Sequence, residues 1–268
     1  MAVPSYAWFY EDPFHSFCLT TTTTISVMSN GLLLYIIFTA ASIGHYRYLL
    51  AVFAVCDVLT SIGHTALQPN LHMTTTGLYF FPRHGPLMIG IQSYDFVCCM
   101  IFVATYYQTF LILSYHYVYR LRAVTSDITR TFAEHWKLSH WISLAVLINI
   151  MYIAGFVGTC TIAFMPSFET RALVPPEIEE FYGIDLRNPN RGFAGIVLQQ
   201  PDPLSGEMKW HGLSVAATMV LNVLFGGTAS VIVYCMWRTN AIIRSSTNLT
   251  AKTRQMQQSL FHALLIQV

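Results

Sequence analysis

Three groups of residues have the types and spacing to do chemistry, and none of them is equipped to make or break bonds. Asp57 sits in the middle of the apolar run "YLLAVFAVCDVLTSIGHTALQP", and Asn30 in the middle of an earlier run centred on "CLTTTTTISVMSNGLLLYIIFTA". A carboxyl group in such surroundings is costly, which makes it a functional candidate by default. The Asn30 amide has the donors that a buried carboxylate needs. The pair therefore reads either as a polar switch or cation site between two helices, or as an acid that is locally satisfied and only holds them together. Asp95, flanked by Gln92 and Tyr94 with Cys98 and Cys99 below, is expected about two turns into a third apolar run. At that depth Asp95, Tyr94 and Cys99 can face an outward-opening cavity and orient a polar group of a ligand; the alternative is an interfacial residue that stays wet. At the far end of the same run, "LILSYHYVYRLRAV" puts His116 one turn before Arg120 on the same helix face. Positive charge at a span end, a snorkelling arginine and Tyr117 and Tyr119 in an interfacial aromatic belt account for it plainly.

Enzyme signatures are missing. The sequence has no HExxH, GxSxG, P-loop or GxGxxG, and its ten histidines are scattered. The six cysteines each fall inside an apolar run with no CxxC spacing, as small buried hydrophobes do. No catalytic residue, cofactor or metal is expected, and the chain does not read as an enzyme.

The elements that must carry these residues follow from composition. Charged residues make up 10% of the 268-residue chain and apolar residues 54%, with a mean hydropathy of +0.49. An ordinary soluble domain is about 25% charged, and thirteen acids and fourteen bases are too few to cover one of this length. A net charge of +1 gives no support for nucleic-acid binding. Five runs are long enough to cross about 30 Å of hydrocarbon as helices: one between Asp12 and Arg47, then 48–69, 87–119, 141–165 and 213–237. A sixth, from Leu260 to Val268, is too short to do so. The Thr20–Thr24 run is expected to bond back to carbonyls one turn earlier. This describes an all-α integral membrane protein read as one domain over residues 1–268, surrounded by membrane lipid.

Orientation follows from Lys and Arg near the spans. Arg47 occupies the first link; Arg120, Arg122, Arg130 and Lys137 the third; Arg238, Arg244, Lys252 and Arg254 the fifth. The amino-terminal tail carries Glu11 and Asp12 with no base, and the second link only Arg83. The tail is expected outside and the odd-numbered links in the cytoplasm. The one glycosylation sequon, at Asn248, then faces the cytosol and stays bare.

"SYHYVYRLRAV" resembles the His-aromatic-x-Tyr-Arg-Tyr segment that ends the third helix in the nematode Str chemoreceptors, the serpentine receptor class r family. "SNGLLLYIIFTAASIGHYRYLLAVFAVCDVLTS" is similar to that family's first two helices, "FETRALVPPEIEEFYGIDL" to its long outer loop, and "QMQQSLFHALLIQ" to its entry into helix six. The resemblance implies a seven-transmembrane receptor-like helix bundle. Five full spans and part of a sixth are present, and helix seven is absent, as in a truncated gene model, fragment or pseudogene product. It implies a G-protein-coupled chemosensory receptor in the plasma membrane of sensory neurons or their cilia, binding an odorant or other small chemical ligand and a heterotrimeric G protein. It also makes His116, Tyr117 and Arg120 counterparts of the acidic-Arg-Tyr switch of rhodopsin-like receptors, and sets Asn30 and Asp57 where those receptors have a helix-one Asn and a helix-two Asp. Two departures follow. Position 119 is Tyr, so no acid–Arg latch forms within helix three, and the outer loop has no cysteine to bridge to the top of that helix. The alternatives are a transporter or channel, which needs paired charges or duplicated halves, and a truncated product that does not signal.

Overall fold

The computed structural model describes residues 14–39, 46–83, 89–125, 138–202 and 205–245. The stretch Leu260–Val268, the sequon at Asn248 and the bases Arg130, Lys137, Lys252 and Arg254 lie outside them. Five described helices are long and apolar enough to cross a membrane: α1 (Phe14–Thr39), α2 (Tyr46–Leu67), α3 (Gln92–Thr125), α4 (Leu138–Phe164) and, after the shorter elements below, α7 (Gly212–Ser245). Large side chains such as Met28, Ile162 and Val223 stand more than 70% exposed on α1, α4 and α7, as suits a surface meeting lipid.

The links hold more structure than the sequence pattern suggests. Between α2 and α3 the chain forms β1 (Pro69–Met73) and β2 (Gly77–Pro82). Between α4 and α7 it forms α5 (Phe168–Ala172), α6 (Glu177–Tyr182), β3 (Ala194–Val197), β4 (Gln199–Pro201) and β5 (Met208–Trp210). The helical architecture with five membrane-capable helices stands, and the links add short strands to it: β1, β2 and β3 make one antiparallel sheet with β2 in the middle, and β4 pairs with β5 in another. Strand pairing satisfies backbone groups that an irregular link would leave open.

The described residues fall into two compact units. The first combines residues up to Thr109 with Ile148–Leu224, and holds the sheets, α1, α2 and the adjoining parts of α3, α4 and α7. Its apolar core lies under the three-stranded sheet, where Tyr79, Phe81, Ile178, Leu186 and Phe193 are buried together. Phe81 meets Tyr182 edge-on with ring centroids 5.2 Å apart. Burying rings of this size contributes about 1.5–3 kcal/mol each.

Helices α1 and α2 of this unit are joined by hydroxyls. Thr20 and Thr24 bond back to carbonyls one turn earlier, at 2.8 Å each, as expected of the threonine run. Thr23 instead crosses to α2, donating to the Ser61 carbonyl at 3.0 Å, and Ser26 meets the Ser61 hydroxyl at 2.7 Å. The seam recurs every three or four residues on both helices, which is the spacing that keeps side chains on one face.

The second unit comprises Phe110–Leu147 and residues from Phe225 onward. In it the Tyr115 hydroxyl donates to the Ala145 carbonyl at 3.1 Å, and the Arg122 guanidinium lies 4.6 Å from the Trp141 ring centre.

Candidate functional site

The link between α4 and α7 is organised around Arg171. Its guanidinium donates to the carbonyls of Leu186 and Asn188 at 2.7 Å each and of Arg191 at 2.6 Å, and lies 5.2 Å from the Phe193 ring centre. Burial pulls the group below its ordinary pKa, and Asp185 opposes that shift. Ser167 caps the short helix that carries it, accepting from the Thr170 amide at 3.1 Å. Tyr79 donates from the sheet to the Leu173 carbonyl at 3.0 Å, and burial pushes its hydroxyl up to about 12. All six cysteines are free thiols. A buried arginine and a small apolar core do here what a disulfide would otherwise do.

That link reaches the start of α3 at Gly192. A Cβ there would overlap the Gln92 carbonyl, the Phe96 amide nitrogen and the Asp95 Cβ, so only glycine allows so close an approach. Asp95 accordingly differs from expectation. The helix begins at Gln92, just after Gly90 at φ +73°, so Asp95 lies in its first turn and not two turns down. It is fully buried, and neither carboxyl oxygen has a hydrogen-bond partner among the described residues. Cys99 is buried below it, and Tyr94 is 39% exposed.

The described residues of this unit form at least two cavities. One, of about 410 Å³, opens between α3 and α4 among residues such as Val97, Ile101, Ile153 and Val157, and its surface is almost wholly apolar. The other, of about 400 Å³, is walled by α2, the three-stranded sheet, α3, α4 and Leu221 of α7. The rings of Phe80, Phe102, Tyr106, Tyr107, Phe156 and Phe164 line it, with Phe80 and Phe102 nearly parallel at 6.2 Å. His64 and Asn70 line the same cavity, and no Asp, Glu, Lys or Arg does. Tyr94, Asp95 and Cys99 line neither.

His64 and Asn70 went unremarked in the sequence. The available signal was the helix stop at Gln68-Pro69, which sets the next polar residue at the mouth of the bundle. Gln68 turns the chain with φ +46°, a left-handed conformation unusual for a residue with a side chain. Its carbonyl accepts from the Arg83 amide at 3.2 Å. Asn70 is 2% exposed, and its side-chain oxygen has no hydrogen-bond partner among the described residues.

The remaining candidates lie deeper. The Asn30 amide donates to the Ser26 carbonyl of its own helix at 3.0 Å, and Asp57 is half-buried on α2, one turn before Ser61 of the hydroxyl seam. No hydrogen bond joins the two. In the second unit His116 and Tyr117 are almost completely buried, and Arg120 is half-buried near the end of α3.

The described residues thus combine five helices able to cross a membrane with a ring-lined cavity under the three-stranded sheet, as in an integral membrane protein. The family model for the serpentine type 7TM GPCR chemoreceptor Str matches residues 15–268, and the chain belongs to that family. It is 23% identical over 260 residues to serpentine receptor class J-38 of Caenorhabditis elegans, an alignment covering 96% of this chain and 75% of that protein. Serpentine receptor class r-10 of C. elegans and of Caenorhabditis briggsae each match at 22% identity, over 84% of this chain and 64% of theirs. No solved structure matches. The family is one of receptors, not of enzymes.

Proposed function

We propose that the chain is a G-protein-coupled chemosensory receptor that binds a small molecule from outside the cell and signals to a heterotrimeric G protein. The ring-lined cavity between α3 and the sheet carries this reading, in a chain whose family is one of chemoreceptors. The sheets then face outside, with the amino terminus, and the base-rich links face the cytoplasm. Plasma membrane of sensory neurons or their cilia is the corresponding location. Phe102 and Tyr106 line the cavity, and the same helix carries His116, Tyr117 and Arg120 further along. A ligand moves such a helix only by binding its active arrangement more tightly than the resting one. Arg120 and Arg238 are the cationic groups offered to the G protein. Asn30 and Asp57 are the polar pair that adjusts when α1 and α2 repack.

The test is nucleotide exchange on a reconstituted G protein, driven by receptor in lipid nanodiscs and a panel of small odorants. Ligand-dependent exchange that Arg120→Ala abolishes, with ligand binding retained, is the expected result. Solute flux through liposomes with no exchange would replace the receptor by a transporter. A glycan on Asn248 in cells would invert the topology.

A further inference from the structure

We infer that the cavity beneath the three-stranded sheet takes an uncharged small molecule with one hydrogen-bonding end, seated with that end at Asn70 and His64 and its apolar body against Phe102 and Tyr106. This deepens the receptor reading and rests on it for biological meaning, but binding itself does not depend on signalling.

Four observations carry it. The cavity's size falls within the roughly 300–1,000 Å³ of small-molecule sites, at about 400 Å³. Among the described residues no carboxylate, ammonium or guanidinium lines it, so a charged ligand would lose its hydration with nothing there to replace it. Two polar side chains reach the lining from outside α3 and α4, His64 from the last turn of α2 beside the Phe102 ring and Asn70 from β1, while the rings come from β2, α3 and α4. Finally, the Asn70 amide is buried with its oxygen unmet, so a hydroxyl or N–H on the ligand would remove a standing cost. The left-handed Gln68 fixes where that amide sits, and among the described residues the Asn70 nitrogen reaches the Gln68 carbonyl alone, at 3.5 Å. The cavity between α3 and α4 differs, because only two helices wall it and lipid chains suit its surface.

Three benzophenone photoprobes of one shape separate the possibilities: 4-benzoylbenzyl alcohol, 4-methylbenzophenone and 4-benzoylbenzoate. The full chain in lipid nanodiscs is irradiated with each, and labelled positions are mapped by mass spectrometry. The alcohol is expected to label the segment Cys99–Tyr107 saturably, and the carboxylate at least about ten-fold less. Asn70→Leu is expected to reduce labelling by the alcohol about five-fold while leaving that by the methyl compound unchanged. The unchanged methyl labelling also shows that the variant is folded. Val103→Phe, which narrows the cavity from its wall, should reduce labelling by both neutral probes. Equal labelling by the carboxylate, or non-saturable labelling at lipid-facing Met219 as strong as at Phe102, overturns the inference. So does an unlabelled cavity, which would mean that another part of the chain fills it. Intact labelling without nucleotide exchange would sink the receptor reading alone.

Discussion

At the sheet end of the first unit, the buried side chains of Arg171 and Asp95 are treated oppositely. Arg171 donates to four backbone carbonyls and lies against the Phe193 ring. Asp95, fully buried at the start of α3, has no partner for either oxygen among the described residues. The acceptors of Arg171 are carbonyls of the irregular segment between Leu186 and Arg191, which no strand pairs, so the guanidinium completes hydrogen bonding that the backbone cannot. A satisfied buried charge of this kind organises a link. An unsatisfied one lowers stability and remains free to gain a partner when the surroundings change.

The largest effect should come from removing the satisfied partner. Arg171→Ala leaves those carbonyls buried without donors, and should cost roughly 3–5 kcal/mol and most of the folded protein at the cell surface. Arg171→Lys should recover only part, because an ammonium cannot fork between several carbonyls. Thermal midpoints in detergent measure both. An alanine variant as stable as the parent would mean that the apolar core alone holds the link.

Next in size is the contact that encloses Asp95. Gly192→Ala should cost roughly 1–3 kcal/mol, since the added methyl meets backbone atoms of α3 that no rotamer change can move. Gly226→Ala, in open space on α7, is the matched control and should be neutral or slightly stabilising. Equal midpoints for the two variants would show that the link does not press on the helix.

The contrast also explains what the sequence made legible. The five spans could be read because hydrocarbon demands about 20 apolar residues per helix, a constraint each segment meets by itself. The motif ending at Arg120 was legible through family resemblance, and the family match bears that recognition out. The sheet was not legible: β2 pairs with β3 across more than a hundred residues, and strands of four to six residues carry little periodic signal. Asp95 was singled out by its type, but its depth depended on where α3 starts, and Gly90 moves that start to Gln92. Asn70 was missed because an asparagine after a helix-ending proline looks like any loop residue until the cavity beside it is known.

A smaller effect tests Asp95 directly. Asp95→Asn keeps the shape and removes the charge, so it should raise stability by about 1 kcal/mol. Read beside ligand binding, the variant sharpens the contrast with Arg171. Unchanged affinity with higher stability fits a carboxyl lying off the cavity. Lost affinity at unchanged stability would restore Asp95 as a ligand contact.

The smallest effect concerns pH, at a polar group of the three-stranded sheet itself. His72 on β1 faces the Tyr182 hydroxyl of α6 at 3.4 Å, with the two rings edge-on. Burial lowers its pKa below the ordinary histidine value, and the nearby Glu177 carboxylate counters part of that shift. The folded chain therefore disfavours the imidazolium more than the unfolded chain does. Stability from this group is complete above the unfolded value of about 6.5, falls as the pH drops towards the lower folded value, and is flat beneath it. Because other histidines titrate in the same window, the informative quantity is the thermal midpoint of the parent minus that of His72→Phe. That difference should shrink as the pH is taken from about 7.5 to about 5.5. A difference that grows on acidification would mean that the Glu177 charge outweighs burial, and that the β1–α6 contact tightens when His72 gains its proton.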